Sequence, residues 1–336
     1  MIRALSVLSL LALMAIAPLS ISASAQSGGI ITTFPILKGD VEKITNGTIP
    51  VESLVKPGVD PHDYQLTPQD VSTLKSASLI VSTLHTYAEE QIDQMIRSGE
   101  IKAAYIAIPE IRGIKYDVIP NSGIQNPHMP IYDPNNYLLF VENLTDTLKD
   151  LYPNLSQVFE SQYQSVKTEI NKLIENYGGK FNEVAVGSSP EVQYAVEWTG
   201  IKILRFLVLD SDIGVQPQDA NLIESYLSNG TAKVVVVLGT YLHGNSSWVP
   251  YSQADAWLAG MASKYGARVI YVPTPSGNLS IFDSLHLIAE EISSPSSATN
   301  AHLENGSDVS YILAAVLAVV VVIIAVVSYM KGRRRA

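Results

Sequence analysis

Short apolar runs alternate with amphipathic stretches from residue 29 to about residue 293. The runs at 30–34, 51–54, 79–83 and 103–108 predict four strands in the first half. Those at 183–187, 201–209, 233–238 and 268–272 predict four more in the second half. Helical spacing fills the gaps, with later helices predicted over 190–198, 218–228, 253–264 and 281–292. Strands that alternate with helices are typical of an α/β fold with parallel sheets.

A single long amphipathic segment separates the two halves. Apolar side chains recur there every three or four positions, from Phe159 through Tyr163, Val166 and Ile170 to Leu173. This spacing predicts one helix, and Gly178-Gly179 is a natural stop for it. We therefore divide the chain into a lobe over 29–152, a stiff linker over 153–179 and a second lobe over 180–293.

Two further apolar segments lie at the ends of the chain. Residues 1–25 combine Arg3, an apolar run and Ala23-Ser24-Ala25, which predicts a cleaved signal peptide; the alternative is an N-terminal membrane anchor. Residues 310–330 are long enough for a transmembrane helix, and the basic tail 331–336 predicts a cytoplasmic C-terminus. The stretch 294–309 is rich in Ser, Thr and Asn and predicts a stalk. These features predict a single-pass protein of the cell membrane with its lobes outside.

Composition narrows the function classes. The 336 residues include no cysteine, which excludes disulfide scaffolds, thiolate metal sites and a lipid-bearing cysteine. Excluding Arg3 and the four basic residues of the tail leaves 17 of the 22 basic residues against 32 acidic ones, which is a net charge of −15 on the external part. This charge argues against nucleic-acid binding. It favours the attraction of cations to the protein surface. Seven Asn-x-Ser/Thr sequons indicate a glycosylated surface protein: Asn46, Asn143, Asn154, Asn229, Asn245, Asn278 and Asn305.

Two of the six histidines follow prolines in predicted loops. His62 comes after the second predicted strand, and His128 comes before a predicted helix that begins near Asp133-Pro134. Ligands of open α/β sheets bind at the carboxyl ends of strands. Because proline stiffens both loops, each imidazole loses little conformational entropy on binding a ligand. Paired imidazoles are suitable ligands for a borderline transition metal.

The chain resembles the zinc/manganese-type substrate-binding proteins of ABC transporters over most of residues 30–290. The resemblance rests on Thr-Thr-Phe-Pro-Ile-Leu at 32–37, Leu-Val-Lys-Pro-Gly-Val-Asp-Pro-His-Asp-Tyr at 54–64 with Thr-Pro-Gln-Asp at 67–70, and Pro-His-Met-Pro-Ile-Tyr-Asp-Pro at 127–134. It extends to Lys-Tyr-Gly-Ala-Arg-Val at 264–269. It implies two Rossmann-like lobes joined by a rigid helix, with one metal ion in the cleft held by His62 and His128.

The remaining ligands depart from that family. Ser189 stands where the resemblance implies a third ligand, and Glu191 is the substitute two residues later. The segment 272–277 lacks the aspartate implied as fourth ligand, and Pro130 replaces a tryptophan. His85 and His243 each follow a predicted strand and could compensate. A site of four histidines, or of three with Glu191, is suitable for zinc.

The function that the sequence predicts is capture of a divalent metal, Zn²⁺ or Mn²⁺, for an ABC permease and its ATPase, by a monomeric membrane-anchored ectodomain. The same fold could instead bind a metal chelate or another small solute, and the sequons and stalk leave a surface adhesion protein open. An enzyme is disfavoured because no nucleophile motif or carboxylate dyad accompanies the histidines.

Overall fold

The computed structural model describes residues 28–209, 213–244 and 246–293. The predicted signal peptide, stalk, transmembrane helix and tail lie outside these residues, as do sequons Asn245 and Asn305. Among the described residues, no helix is both long and apolar enough to cross a bilayer.

The first lobe is built on a four-stranded parallel sheet in the order β2-β1-β3-β4. Its strands are β1 (Ile30–Thr32), β2 (Val51–Ser53), β3 (Leu79–Ser82) and β4 (Ala104–Ala107). The crossovers contain helices α1 (Pro35–Thr45), α2 (Pro68–Ser76) and α3 (Tyr87–Arg97). Proline at the start of α1 and α2 has no N–H to leave unpaired, and the Thr67–Asp70 capping box begins α2.

Two antiparallel-packed helices follow the first sheet. Helix α4 (Pro134–Leu151) leads into α5 (Ser156–Tyr177), which confirms the single long helix predicted to stop at Gly178-Gly179. The stripe predicted for α5 is buried in one hydrophobic core that continues into both lobes. Helix α5 packs against α1 and α4 and also against the last helix, α9 (Ile281–Ser293).

The described residues of the second lobe form five strands, one more than the sequence pattern predicts. They are β5 (Val184–Gly187), β6 (Lys202–Phe206), β7 (Val234–Leu242), β8 (Ser247–Pro250) and β9 (Arg268–Pro273), with helices α6 (Gln193–Glu197), α7 (Pro217–Ser228) and α8 (Gln253–Tyr265). β5, β6, β7 and β9 are parallel, as predicted, whereas β8 runs antiparallel to the last residues of β7. The predicted helix over 190–198 is a 3-10 turn, Pro190–Val192, followed by the short α6.

A buried carboxylate joins α9 to the first lobe. Asp40 on α1 is fully buried, and its carboxylate accepts hydrogen bonds from the Ile281 and Phe282 amides and from the Tyr137 hydroxyl. The first amides of a helix have no partners within it, so Asp40 supplies them. The start of the final helix is thereby bound to two helices of the first half of the chain.

Candidate metal-binding cavity

Loops from both lobes enclose a cavity of about 240 Å³. The first lobe contributes the loops after β2 and β3 and the segment before α4, and the second contributes the segments after β5, β6, β8 and β9. The polar side chains among the lining residues include Asp60, His62, His85, His128, Ser188, Ser189, Glu191, Tyr251, Ser252, Asp255, Thr274 and Ser276. The cavity thus lies at the carboxyl ends of parallel strands, where open α/β sheets bind ligands.

His62 is oriented by a carboxylate two residues earlier. The Asp60 Oδ1 atom accepts from the His62 backbone amide at 2.9 Å and lies 3.1 Å from the His62 ring Nδ1. Because the carboxylate only accepts, Nδ1 carries the hydrogen and Nε2 keeps its lone pair. Metal-binding histidines are commonly held in this way through the nitrogen that does not touch the metal.

His128 is oriented in the same manner by an amide. Asn126 is fully buried, and its Oδ1 atom accepts from the His128 backbone amide at 2.9 Å. The same Oδ1 atom lies 3.0 Å from Nδ1 of the His128 ring. The Nδ2 group of Asn126 donates to Pro190 O at 2.8 Å and to Gln193 Oε1 at 2.9 Å. One side chain therefore positions an imidazole of the first lobe against the loop of the second lobe that contains Glu191.

His85 sits in a loop that a buried glutamate holds. The Glu89 carboxylate accepts from the amides of Thr83, His85 and Thr86 and from neighbouring hydroxyls. Leu84, directly before His85, has a φ of 48°, a left-handed conformation that costs a leucine energy. Strained backbone of this kind persists only where the surrounding structure enforces it, and it is concentrated at functional sites.

The three imidazoles lie against one another. Nε2 of His62 is 3.4 Å from Nε2 of His85, and the His85 and His128 ring centroids are 4.4 Å apart at 69°. Burial, reinforced by repulsion from His128 and His62, lowers the pKa of His85 to about 4. His85 is therefore neutral near pH 7, which is the form that binds a metal.

Glu191 of the second lobe lines the same cavity as the three histidines. It lies in the 3-10 turn after β5, and its Oε2 atom is buried without a hydrogen-bond partner. Glu191 also acts electrostatically on His85. An unpaired buried carboxylate oxygen is costly unless a cation compensates it, so this oxygen is suited to a metal ion.

The ligand set is assembled only in part. No three His, Asp or Glu side chains in the described part of the chain are already arranged around one metal position. The structure contains one pair of Nε2 atoms at close spacing, with a third imidazole and a carboxylate beside it. Side-chain rotation on metal binding would have to complete the set.

The family profile described as "Zinc-uptake complex component A periplasmic" matches residues 30–241, more than half of the chain. The chain belongs to this family. The resemblance drawn from the motifs around His62 and His128 is thereby confirmed.

Curated relatives in this family are named for different metals. Over 170 residues the chain is 30% identical to the iron-binding protein YfeA of Yersinia pestis (49% of this chain, 52% of the relative). It is 26% identical to the manganese ABC transporter substrate-binding lipoprotein PsaA of Streptococcus mitis (48% and 54%) and to the zinc-binding protein TroA of Treponema pallidum (43% and 46%). The chain spans about half the length of the curated relatives it matches.

Solved structures share the fold over a longer stretch. The Mn-bound periplasmic metal-binding protein of Candidatus Liberibacter asiaticus superposes with a TM-score of 0.58 at 20% identity, covering 79% of this chain and 98% of that one. Zn(II)-bound AdcA of Streptococcus pneumoniae gives 0.56 at 18% identity (80% and 59%). The α/β fold with parallel-sheet lobes is thus that of periplasmic metal-binding proteins.

The structure brings four of the five predicted ligands to one cavity and leaves the fifth outside it. His62, His85, His128 and Glu191 line the cavity, whereas His243 is exposed beside Tyr241 and is not among the lining residues. The prediction for His243 assumed a strand that ends at residue 238, but β7 continues to Leu242. At about 3.3 Å per residue, the four extra residues carry the chain about 13 Å past the sheet edge.

Sequence reasoning missed the residues that orient these ligands. Glu89 stands three positions after Thr86, and this Thr-x-x-Glu spacing is the signature of a capping box, which the structure contains. Asn126 directly precedes Pro127-His128, but a polar residue that will be buried looks the same in sequence as an exposed one. Only the fold shows that its amide reaches Pro190.

Proposed function

We propose that this chain is the extracellular, membrane-anchored substrate-binding component of an ABC transporter. It captures a divalent transition metal ion, Zn²⁺ or Mn²⁺, in the cavity between its lobes for import. The observation that carries the proposal is the convergence of His62, His85 and His128 beside the unpartnered carboxylate oxygen of Glu191. Neutral imidazoles and a carboxylate are the donors that such ions prefer.

The relatives support metal capture without choosing the metal, because their names specify iron, manganese or zinc. They also support a binding role rather than catalysis, and an ABC permease with its ATPase as the partners that receive the ion. The capture step itself requires only the ligands and a cavity that both lobes line.

The arrangement at the membrane follows from the sequence. A signal peptide over 1–25 exports the chain, and the helix over 310–330 anchors a monomeric, glycosylated ectodomain near the permease. The charge of −15 on the external part raises the local concentration of cations. In this chain, which has no cysteine, the helix takes the place of a lipid anchor.

A metal chelate is the second candidate, and the size of the cavity favours it. Its volume of about 240 Å³ exceeds what a single ion occupies. Since one water takes up about 30 Å³ of liquid, the cavity has room for several waters or for a small chelating molecule.

Isothermal titration of the metal-free purified chain with Zn²⁺ and with Mn²⁺ tests the proposal. We expect one ion per chain for the wild type and a loss of at least about 10- to 100-fold in affinity for His62→Ala, since even residues behind the ligands have effects of this size. His243→Ala is the matched control and should bind as the wild type does. A wild type that binds neither ion would contradict the proposal, and binding only of ions supplied with a small chelator would favour the second candidate.

A further inference from the structure

The acidic side chains of the cavity are mostly engaged elsewhere. Among the described residues, three carboxylates line it: Asp60, Glu191 and Asp255. Asp60 Oδ1 holds His62, and Asp255 accepts from the Leu238 and Ser252 amides and from the Ser252 hydroxyl, which fixes the start of α8. Glu191 Oε2 is the carboxylate oxygen of the three that the structure leaves buried and unpartnered.

The loop after β9 offers no anionic ligand. Its side chains in the cavity are Thr274, Pro275 and Ser276. The Thr274 and Ser276 hydroxyls lie 3.1 Å apart, and Ser276 donates to the Tyr251 hydroxyl at 3.0 Å. Neutral hydroxyls bonded to one another are weak metal ligands, so this side of the cavity does not complete a ligand set.

His85 has the spacing that a ligand needs. Two zinc–nitrogen bonds of about 2.0–2.1 Å at a tetrahedral angle place the nitrogens about 3.3–3.4 Å apart. The Nε2 atoms of His62 and His85 are 3.4 Å apart. A hydrogen bond between the two rings gives the same separation, and a metal ion bound by both nitrogens would replace the hydrogen that the rings share.

The position of His85 is also enforced by the fold. Glu89 Oε2 accepts from the His85 amide at 2.8 Å, and the left-handed Leu84 turns the chain directly before it. The His85 side chain is half-buried and packs against the His128 ring. It also contacts His62, which is exposed. The loop after β3 therefore presents an imidazole at the place where the first lobe meets Glu191 of the second lobe.

We propose that His85 is a metal ligand that determines selectivity. With His62, His128 and Glu191 it forms a site of three nitrogens and one oxygen that prefers Zn²⁺ to Mn²⁺. The proposal rests on the proposed function and specifies its cargo. Zn²⁺ binds well to imidazole nitrogens, whereas Mn²⁺ prefers oxygen ligands. Mn²⁺ is also the weakest binder among the divalent first-row transition metals. Three of the four ligands then belong to the first lobe, and Glu191 alone comes from the second.

Competition titrations of the full chain with Zn²⁺ and Mn²⁺ test this proposal, using His85→Asn with His243→Asn as the matched surface control. We expect the preference for Zn²⁺ over Mn²⁺ to fall by at least about 10-fold in His85→Asn and to stay unchanged in the control. An unchanged preference in His85→Asn would overturn the selectivity role. Failure of the wild type to bind either ion would instead overturn the proposed function, so the two failures are distinguishable.

The visible spectrum of the Co²⁺-loaded wild type tests the same proposal without relying on a variant that folds. Four-coordinate cobalt absorbs far more strongly than six-coordinate cobalt. We expect the strong bands of a four-coordinate site with nitrogen donors. The weak bands of a six-coordinate, oxygen-rich site would contradict a ligand role for His85.

Discussion

Asn126 directly links two of the proposed ligands, one from each lobe. Its Oδ1 faces the His128 ring, while its Nδ2 donates to the carbonyl of Pro190, next to Glu191. We expect Asn126→Ala to lower metal affinity by about 10- to 100-fold, because residues that orient ligands have effects of this size. Isothermal titration with Zn²⁺ measures the change.

Gln125→Ala is the control for this variant, because Gln125 is the exposed neighbour of Asn126. It should bind Zn²⁺ as the wild type does. If Asn126→Ala kept wild-type affinity, the His128 orientation described here would have no functional importance.

Glu89 stabilises the loop that contains His85. Its carboxylate is 2% exposed and faces donors only, including the Thr83, His85 and Thr86 amides. In Glu89→Gln one acceptor oxygen becomes an NH₂ group that meets those donors. We expect a loss of about 1–3 kcal/mol in the free energy of unfolding, because a buried donor then lacks an acceptor. Urea titration of the metal-free protein measures it.

Glu90→Gln, at the exposed neighbouring position, should leave the midpoint of urea unfolding unchanged. Equal stability of Glu89→Gln and the wild type would show that the Glu89 carboxylate does not hold this loop.

At the scale of elements, the carboxyl group of Asp40 on α1 accepts from the first two amides of α9. Burial raises the pKa of Asp40 to about 7, with a smaller contribution from Asp283, while bonds from Tyr137, Ile281 and Phe282 oppose the shift. The folded state therefore takes up a proton that the unfolded chain, with its ordinary pKa of 3.8, has lost. The contribution of Asp40 to stability is full below about pH 4 and is lost as the pH rises through about 7.

The variant Asp40→Asn tests this attachment. Asparagine does not titrate in this range, and its NH₂ group would face the Ile281 and Phe282 amides, which are also donors. We expect it to lower the free energy of unfolding by about 1–3 kcal/mol, and by more at pH 5 than at pH 8. Urea titrations at both pH values measure the difference, with the exposed Glu42→Gln on the same helix as control. A deficit that is equal at both pH values would contradict the raised pKa.

The elements also show what could be predicted and what could not. The spacing of apolar residues predicted the parallel strands and the long helix α5, because residues that face the core recur at regular intervals along the chain. It missed β8, since Ser247–Pro250 is only four residues long and pairs with the exposed end of β7 rather than with the core. The resulting extension of β7 is the reason that His243 lies outside the cavity.

For the molecule as a whole, the sequence predicted that His62 and His128 lie in proline-stiffened loops and that His85 follows a strand of the first lobe. The pairing of these histidines with Glu191 depends on the fold, because residues 62 and 191 are far apart in the chain and meet through the shared core and through contacts such as the Asn126–Pro190 hydrogen bond. Long-range contacts of this kind leave no local pattern in the sequence. Buried polar residues such as Asn126 and Asp40 therefore became recognisable only in the structure.

Metal binding between the lobes should stabilise the whole molecule. An ion that binds only the folded state adds about 2.7 kcal/mol when its free concentration is 100 times the dissociation constant. We expect Zn²⁺ to raise the thermal midpoint of the wild type and to raise that of His62→Ala by much less at the same concentration, as followed by circular dichroism. A wild-type midpoint that does not respond to Zn²⁺ would contradict metal capture.

The central claim is that His62, His85, His128 and Glu191 hold one metal ion. Anomalous diffraction at the zinc absorption edge, from crystals of the zinc-loaded protein, tests it most directly. We expect one anomalous peak per chain within about 2.0–2.2 Å of an imidazole nitrogen from each histidine and of a Glu191 oxygen. A peak at another set of side chains, or no peak in the cavity, would contradict it.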